Sequence, residues 1–124
     1  MSDENSIREP AVAYATRTTS TIIKPFIQRG IFTNQEGAIA EMARTYIVGQ
    51  IQEYQQTIDT LQSRYGMSYE QFETYLQLRA DELMRRPTKA LNQAIMHEED
   101  DSLDWKVARE MQASWLGLRI EAGL

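Results

Sequence analysis

The clearest pattern in the chain is a series of apolar residues, three or four positions apart, that lies between a helix start signal and a helix stop signal. Thr33 and Glu36 have the spacing of a capping box, in which two side chains satisfy free amides of the first turn. Gly66 is a residue type that commonly ends helices. The pattern predicts one amphipathic helix of about 30 residues. Its apolar positions are Ile39, Ala43, Tyr46, Ile47, Ile51, Tyr54, Ile58, Leu61 and Tyr65.

The part before this helix divides into three pieces. Residues 1–14 are mostly polar and are expected to form a flexible leader. Residues 15–23 are rich in β-branched types, which predicts a short extended arm or strand. Pro25 is favourable in a first helical turn and Gly30 is a common stop, so a short helix is expected to start near Lys24.

Shorter helices are also expected after the long one. Ser68 begins a second capping box, and the apolar pattern that follows it ends before Pro87. Thr88 can cap another short helix. Ser102 is expected to open the last helix, because the four carboxylates of residues 98–101 are favourable just before a helix N-terminus. The prediction is a mostly α fold, with a long central helix, two or three shorter helices and a short N-terminal arm.

The composition is typical of a binding protein rather than an enzyme. The chain has 124 residues, of which 42% are hydrophobic and 25% charged, with no Cys and a single His. These counts exclude disulfides, thiolate zinc sites, thiol nucleophiles and His-rich metal sites. Gly-rich phosphate loops and nucleophile motifs are missing. We therefore expect no catalysis, no cofactor and no metal.

Charge and hydropathy indicate the compartment. The formal net charge is −5, which opposes general nucleic-acid binding. The first residues are polar and acidic, unlike a signal peptide. The apolar runs are far shorter than the roughly 18 residues of a membrane span. A cytoplasmic protein without membrane contact is expected.

The long helix is the predicted site of homodimer formation. An apolar stripe of this length commonly continues against a second chain, although it also serves as the core of its own domain. The residues predicted for the dimer seam are Ile39, Tyr46, Ile51, Tyr54 and Ile58.

A partner-binding surface is predicted from the acidic run and the large side chains after it. One or two acids suffice for a helix dipole, so the surplus suggests a cationic partner, with aromatic residues as the desolvated centre. The alternatives are a solvated helix start and burial of both tryptophans in the core. The predicted residues are Glu98, Glu99, Asp100, Asp101, Trp105, Met111 and Trp115.

The N-terminal arm carries a weaker prediction of DNA contacts. Small hydroxyls and guanidinium groups commonly contact phosphates and base edges, and Arg17, Thr19 and Thr21 are of these types. The alternative for the arm is a flexible or edge segment without DNA.

Three stretches resemble small prokaryotic antitoxins of type II toxin–antitoxin systems. Residues 26–46, FIQRGIFTNQEGAIAEMARTY, resemble the helix–turn–helix half of ribbon-helix-helix antitoxins. Residues 64–72, RYGMSYEQF, and 98–106, EEDDSLDWK, resemble the turn and the acidic segment of the second half. The resemblance implies a homodimer that neutralises a cognate toxin protein and binds operator DNA.

The resulting hypothesis has a dimerisation region, with possible DNA contacts, over residues 15–66 and a helical partner-binding region over residues 67–124. The function expected is that of an antitoxin, with autoregulation of its operon as a further expectation. The alternative is a helical dimeric scaffold or adaptor protein without catalytic activity.

Overall fold

A computed structural model of the chain describes residues 19–124, which form four α-helices and no strand. Helix α1 covers residues 19–28, α2 is Gln35–Tyr65, α3 is Tyr69–Arg85 and α4 is Lys89–Glu121. The mostly α fold and the long helix that ends before Gly66 are therefore confirmed. The chain divides into two units, Met1–Thr45 and Tyr46–Leu124.

In the first unit, α1 replaces part of the expected arm. Residues 19–23 are helical, whereas residues 15–18 and the predicted leader 1–14 lie outside the described residues. Ile23 is 5% exposed, so the helical conformation gives this side chain a buried position. Burial of this kind routinely outweighs the weak preference of Thr and Ile for strands.

The turn between α1 and α2 places the helix start one residue later than predicted. Gly30 has a φ of 73°, a left-handed conformation that glycine adopts without steric cost. The side chain of Asn34, not that of Thr33, caps α2, because its Oδ1 accepts a hydrogen bond from the Gly37 amide at 2.7 Å. Asn and Thr are both good capping residues, so two neighbouring positions in this sequence can start the helix.

In the second unit, the turn from α2 to α3 follows the sequence prediction. Gly66 has a φ of 63°, which ends α2. Ser68 Oγ accepts from the Gln71 amide at 3.2 Å, and Gln71 Oε1 accepts from the Ser68 amide at 2.9 Å. The predicted capping box at Ser68 is confirmed.

Helix α4 runs antiparallel to α3 and to the part of α2 in the second unit. As residue numbers rise along α4, the residues that it contacts in α3 and in α2 have decreasing numbers. The contacting pairs are Glu98 with Arg79, Trp105 with Tyr69, Asp101 with Arg64, and Gln112 with Gln55.

An aromatic core holds the three helices of this unit together. Phe72 is 0% exposed, Trp105 1% and Leu61 4%, and the ring centroids of Phe72 and Trp105 are 5.6 Å apart. Full burial of each such side chain contributes about 1.5–3 kcal/mol. The half-buried residues around this core are Ile58, Tyr65, Met67, Tyr69, Tyr75 and Leu76.

The structure corrects the boundaries expected after Thr88. Thr88 caps a single helix of 33 residues, in which Ser102 is an interior residue rather than a start. The acidic run 98–101 therefore lies within α4. A helix tolerates such a run when some of its charges are neutralised by neighbouring elements.

Candidate protein-binding surface on helix α4

The acidic run is divided between two sides of α4. Glu98 and Asp101 are three positions apart and face the other helices, where their side chains are 12% and 21% exposed. Glu99 and Asp100 are exposed to solvent. Positions i and i+3 share a helix face, which is why the first and last acids point the same way.

Glu98 joins α4 to α3 through both of its carboxylate oxygens. Arg79 Nη2 donates to Oε1 at 2.9 Å, and Arg79 Nε donates to Oε2 at 3.3 Å. The Tyr75 hydroxyl lies 3.3 Å from Oε1, and the Arg79 guanidinium lies 5.6 Å from the centre of the Tyr75 ring. The hydrogen bond from Arg79 to Glu98 raises the pKa of the guanidinium. The Glu98 carboxylate is therefore paired with a cation of its own unit.

Asp101 joins α4 to α2 in a similar way. Arg64 Nη1 donates to Oδ2 at 2.8 Å, and the Tyr65 hydroxyl donates to the same oxygen. Burial raises the pKa of Asp101, but the hydrogen bonds from Tyr65 and Arg64 outweigh it and leave this pKa below its ordinary value. Burial, followed by the contact with Asp101, raises the pKa of Tyr65 to about 12. Two of the four acids predicted to bind a partner therefore also connect helices.

The three large residues predicted beside the acids occupy different environments. Trp105 is in the core, as described above. Trp115 is half-buried and packs edge-on against Tyr46 at 5.7 Å between ring centroids. Its indole Nε1 is buried without a hydrogen-bond partner among residues 19–124. Met111 is 37% exposed and is the only one of these three side chains that lies on the surface.

Helix α4 carries an apolar stripe on the side away from the core, which we call the outer stripe. At about 100° per residue, its five members fall within a sector of about 80°, opposite Trp105. They are Met96, Leu103, Val107, Met111 and Leu118, which are 57%, 60%, 45%, 37% and 43% exposed.

Sequence reasoning missed most of the outer stripe. Of its five members, only Met111 is among the residues predicted to bind a partner, and it is grouped there with Trp105, which lies on the opposite side of α4. The spacing could have separated them, because steps of seven and four residues return to one side of a helix while Trp105 falls on the other.

The predicted dimer seam is exposed at one end and partly buried at the other. Ile39 is 50% exposed and Tyr46 is 61% exposed. Ile51 and Tyr54 are half-buried. Ile58 packs against the aromatic core of its own unit. The seam residues with free apolar surface are thus the two nearest the start of α2.

The predicted DNA contacts are only partly within the described residues. Arg17 lies outside them, and Thr19 and Thr21 are exposed residues of α1. A two-stranded DNA-reading ribbon needs extended backbone, which residues 19 and 21 do not have. DNA binding by this arm stays a prediction.

A groove of about 320 Å³ lies beside Trp105 in the second unit. Its polar side chains bind one another: Gln112 Nε2 donates to Gln55 Oε1 at 2.7 Å, and Arg109 pairs with Glu70 at 2.9 Å. Within residues 19–124, no three His, Cys, Asp or Glu side chains are placed to hold a metal ion. No helix in that range has the length and apolarity needed to cross a bilayer.

No family model, curated protein or solved structure matches this chain.

Proposed function

We propose that this chain is a protein-binding protein, the antitoxin of a two-protein toxin–antitoxin module. The observation that carries the proposal is the outer stripe of α4, on which five large side chains are exposed. Contiguous apolar surface of this kind commonly marks a site of protein–protein interaction. They are Met96, Leu103, Val107, Met111 and Leu118.

The antitoxin assignment is supported by the resemblance of residues 26–46, 64–72 and 98–106 to antitoxin segments. In this proposal, α4 covers a surface that the toxin needs for its own target, and bound toxin is inactive for steric reasons. Toxins that act on RNA present basic surfaces, and the exposed carboxylates of α4 match that charge. The two proteins meet in the cytoplasm.

The proposal includes a homodimer formed through the start of α2. Ile39 and Tyr46 are each at least half exposed, which leaves apolar surface for a second copy. The dimer would present two copies of α4 to the toxin.

The decisive experiment uses the product of the neighbouring reading frame. We expect that protein to arrest growth when it is expressed alone, and the full chain expressed with it to restore growth. The two proteins should elute together in gel filtration. Growth arrest that the chain fails to relieve, or a neighbour without toxicity, would contradict the antitoxin proposal and favour a scaffold or adaptor.

A further inference from the structure

The outer stripe has the length and spacing of a docking ridge for another helix. Met96 and Leu118 are 22 positions apart, which corresponds to about 33 Å along the helix axis. Between them, Leu103, Val107 and Met111 are four residues apart and form a continuous row. Rows of this kind fit into the grooves of a second helix, and helices commonly dock through such apolar positions.

Exposed charges border the outer stripe along its first half. Four carboxylates and one ammonium group lie on or beside it, with acids on both of its edges, whereas residues 111–118 carry no charge. These charged residues are Glu99, Asp100, Asp104, Lys106 and Glu110.

A second copy of α4 is a poor occupant of this surface. The four carboxylates and one ammonium group that border the stripe give it a net charge of −3 in each copy. Pairing of two copies, parallel or antiparallel, brings two such negative surfaces together, which opposes association. The charge pattern instead complements a cationic partner.

We propose that the outer stripe binds an amphipathic helix of a partner protein, with Lys or Arg on both edges of its apolar face. This deepens the proposed function and rests on it, since the partner helix would belong to the toxin. The cations of the partner lie against the half of the stripe that contains Asp100 and Asp104. Its uncharged end lies along residues 111–118.

Two synthetic helical peptides test this inference without any toxin. Both carry Leu at the same heptad positions, and one has Lys at all flanking positions while the other has Glu. We expect the Lys peptide to shift the amide NMR signals of the outer stripe in the full-length, isotope-labelled chain. The Glu peptide should leave them unchanged. Added salt should weaken the Lys complex, because ions screen exposed charges.

Leu103→Asp and Leu78→Asp form a matched pair of variants. Leu103 is 60% exposed within the outer stripe, and Leu78 is 62% exposed on α3, away from it. We expect Leu103→Asp to weaken binding of the Lys peptide about tenfold, and Leu78→Asp to leave it unchanged. If the Lys peptide bound only by non-specific attraction to negative charge, the added carboxylate would tighten its binding to both variants.

Several outcomes would overturn the inference. They are equal binding of the two peptides, shifts confined to residues outside the outer stripe, or tighter binding by Leu103→Asp. Signals of the stripe that depend on the concentration of the chain alone would identify a second copy as the occupant. Because no toxin is used, peptide binding without growth rescue would contradict only the proposed function. Growth rescue that Leu103→Asp and Leu78→Asp support equally would contradict only this inference.

Discussion

At the scale of single residues, Glu98 shows how α4 accommodates a largely buried charge. Removal of a carboxylate from water is costly, and the cost is offset when hydrogen bonds occupy its oxygens. Arg79 supplies a donor to each oxygen, and Tyr75 adds a contact to one of them. Because the guanidinium is planar and forked, it positions α3 as well as neutralising the charge.

Glu98→Gln is expected to lower the free energy of unfolding by about 2 kcal/mol, because the Arg79 guanidinium loses its charged partner in a half-buried position. Urea denaturation followed by circular dichroism measures this. Glu99→Gln is the matched control on the neighbouring, exposed position, and its effect should stay within about 0.5 kcal/mol. Equal effects of the two variants would show that the contact between Glu98 and Arg79 contributes no stability.

Tyr65 gives the stability a dependence on alkaline pH. Its pKa is about 12 in the folded chain and 10 ordinarily, so the folded state holds the phenolic proton more tightly. This contribution to stability is complete below pH 10 and is lost as the pH rises toward 12. Urea denaturation at a series of alkaline pH values should show less decline for Tyr65→Phe than for the unmodified chain. Identical declines would contradict the assignment to Tyr65.

At the scale of helices, some helix ends are set by residues close in sequence, whereas others depend on tertiary contacts. The turn after α2 is local, because Gly66 and the Ser68–Gln71 capping box lie within a few residues of each other. The continuity of α4 is not local. The acids that would favour a helix start at Ser102 are partly neutralised by α2 and α3, so the helix passes through this position without a break.

Ser68→Ala is expected to lower the free energy of unfolding by about 1 kcal/mol, since α3 loses the hydroxyl that accepts from the Gln71 amide. Ser63→Ala is the matched control, because Ser63 is exposed inside α2 and its replacement favours the helix slightly. Thermal unfolding of both variants measures the difference. A loss of stability in Ser63→Ala equal to that in Ser68→Ala would contradict a specific role of the cap.

At the scale of the whole molecule, the outer stripe and the acids beside it lie in the same unit, Tyr46–Leu124. In the proposed function, this unit binds the partner. The first unit then contributes Ile39 to the proposed dimer contact.

The proposed dimer is tested at Ile39 rather than at Ile58, because an acid at Ile58 would disrupt the core of its own unit. We expect sedimentation velocity to show a dimer at micromolar concentration, and Ile39→Asp to weaken it by about tenfold or more. Ile31→Asp is the control, since Ile31 is 59% exposed outside α2. A monomeric unmodified chain at this concentration would exclude the dimer.

The sequence by itself determined the helical class and several of its boundaries. The apolar series from Ile39 to Tyr65 predicts a long helix, and Gly66 with the Ser68 capping box predicts the following turn. These patterns depend on residues only a few positions apart, so they can be recognised without a tertiary structure. The resemblance to antitoxins and the dimer stay predictions.

Only the tertiary structure decided which side of α4 is buried. Both sides contain large apolar residues, and periodicity divides them into two sides without showing which side is buried. The choice is made by contacts between distant parts of the chain: Phe72 packs against Trp105, Arg79 pairs with Glu98, and Arg64 pairs with Asp101. Because these contacts form only when the helices pack, tertiary contacts and not the local pattern leave the outer stripe exposed.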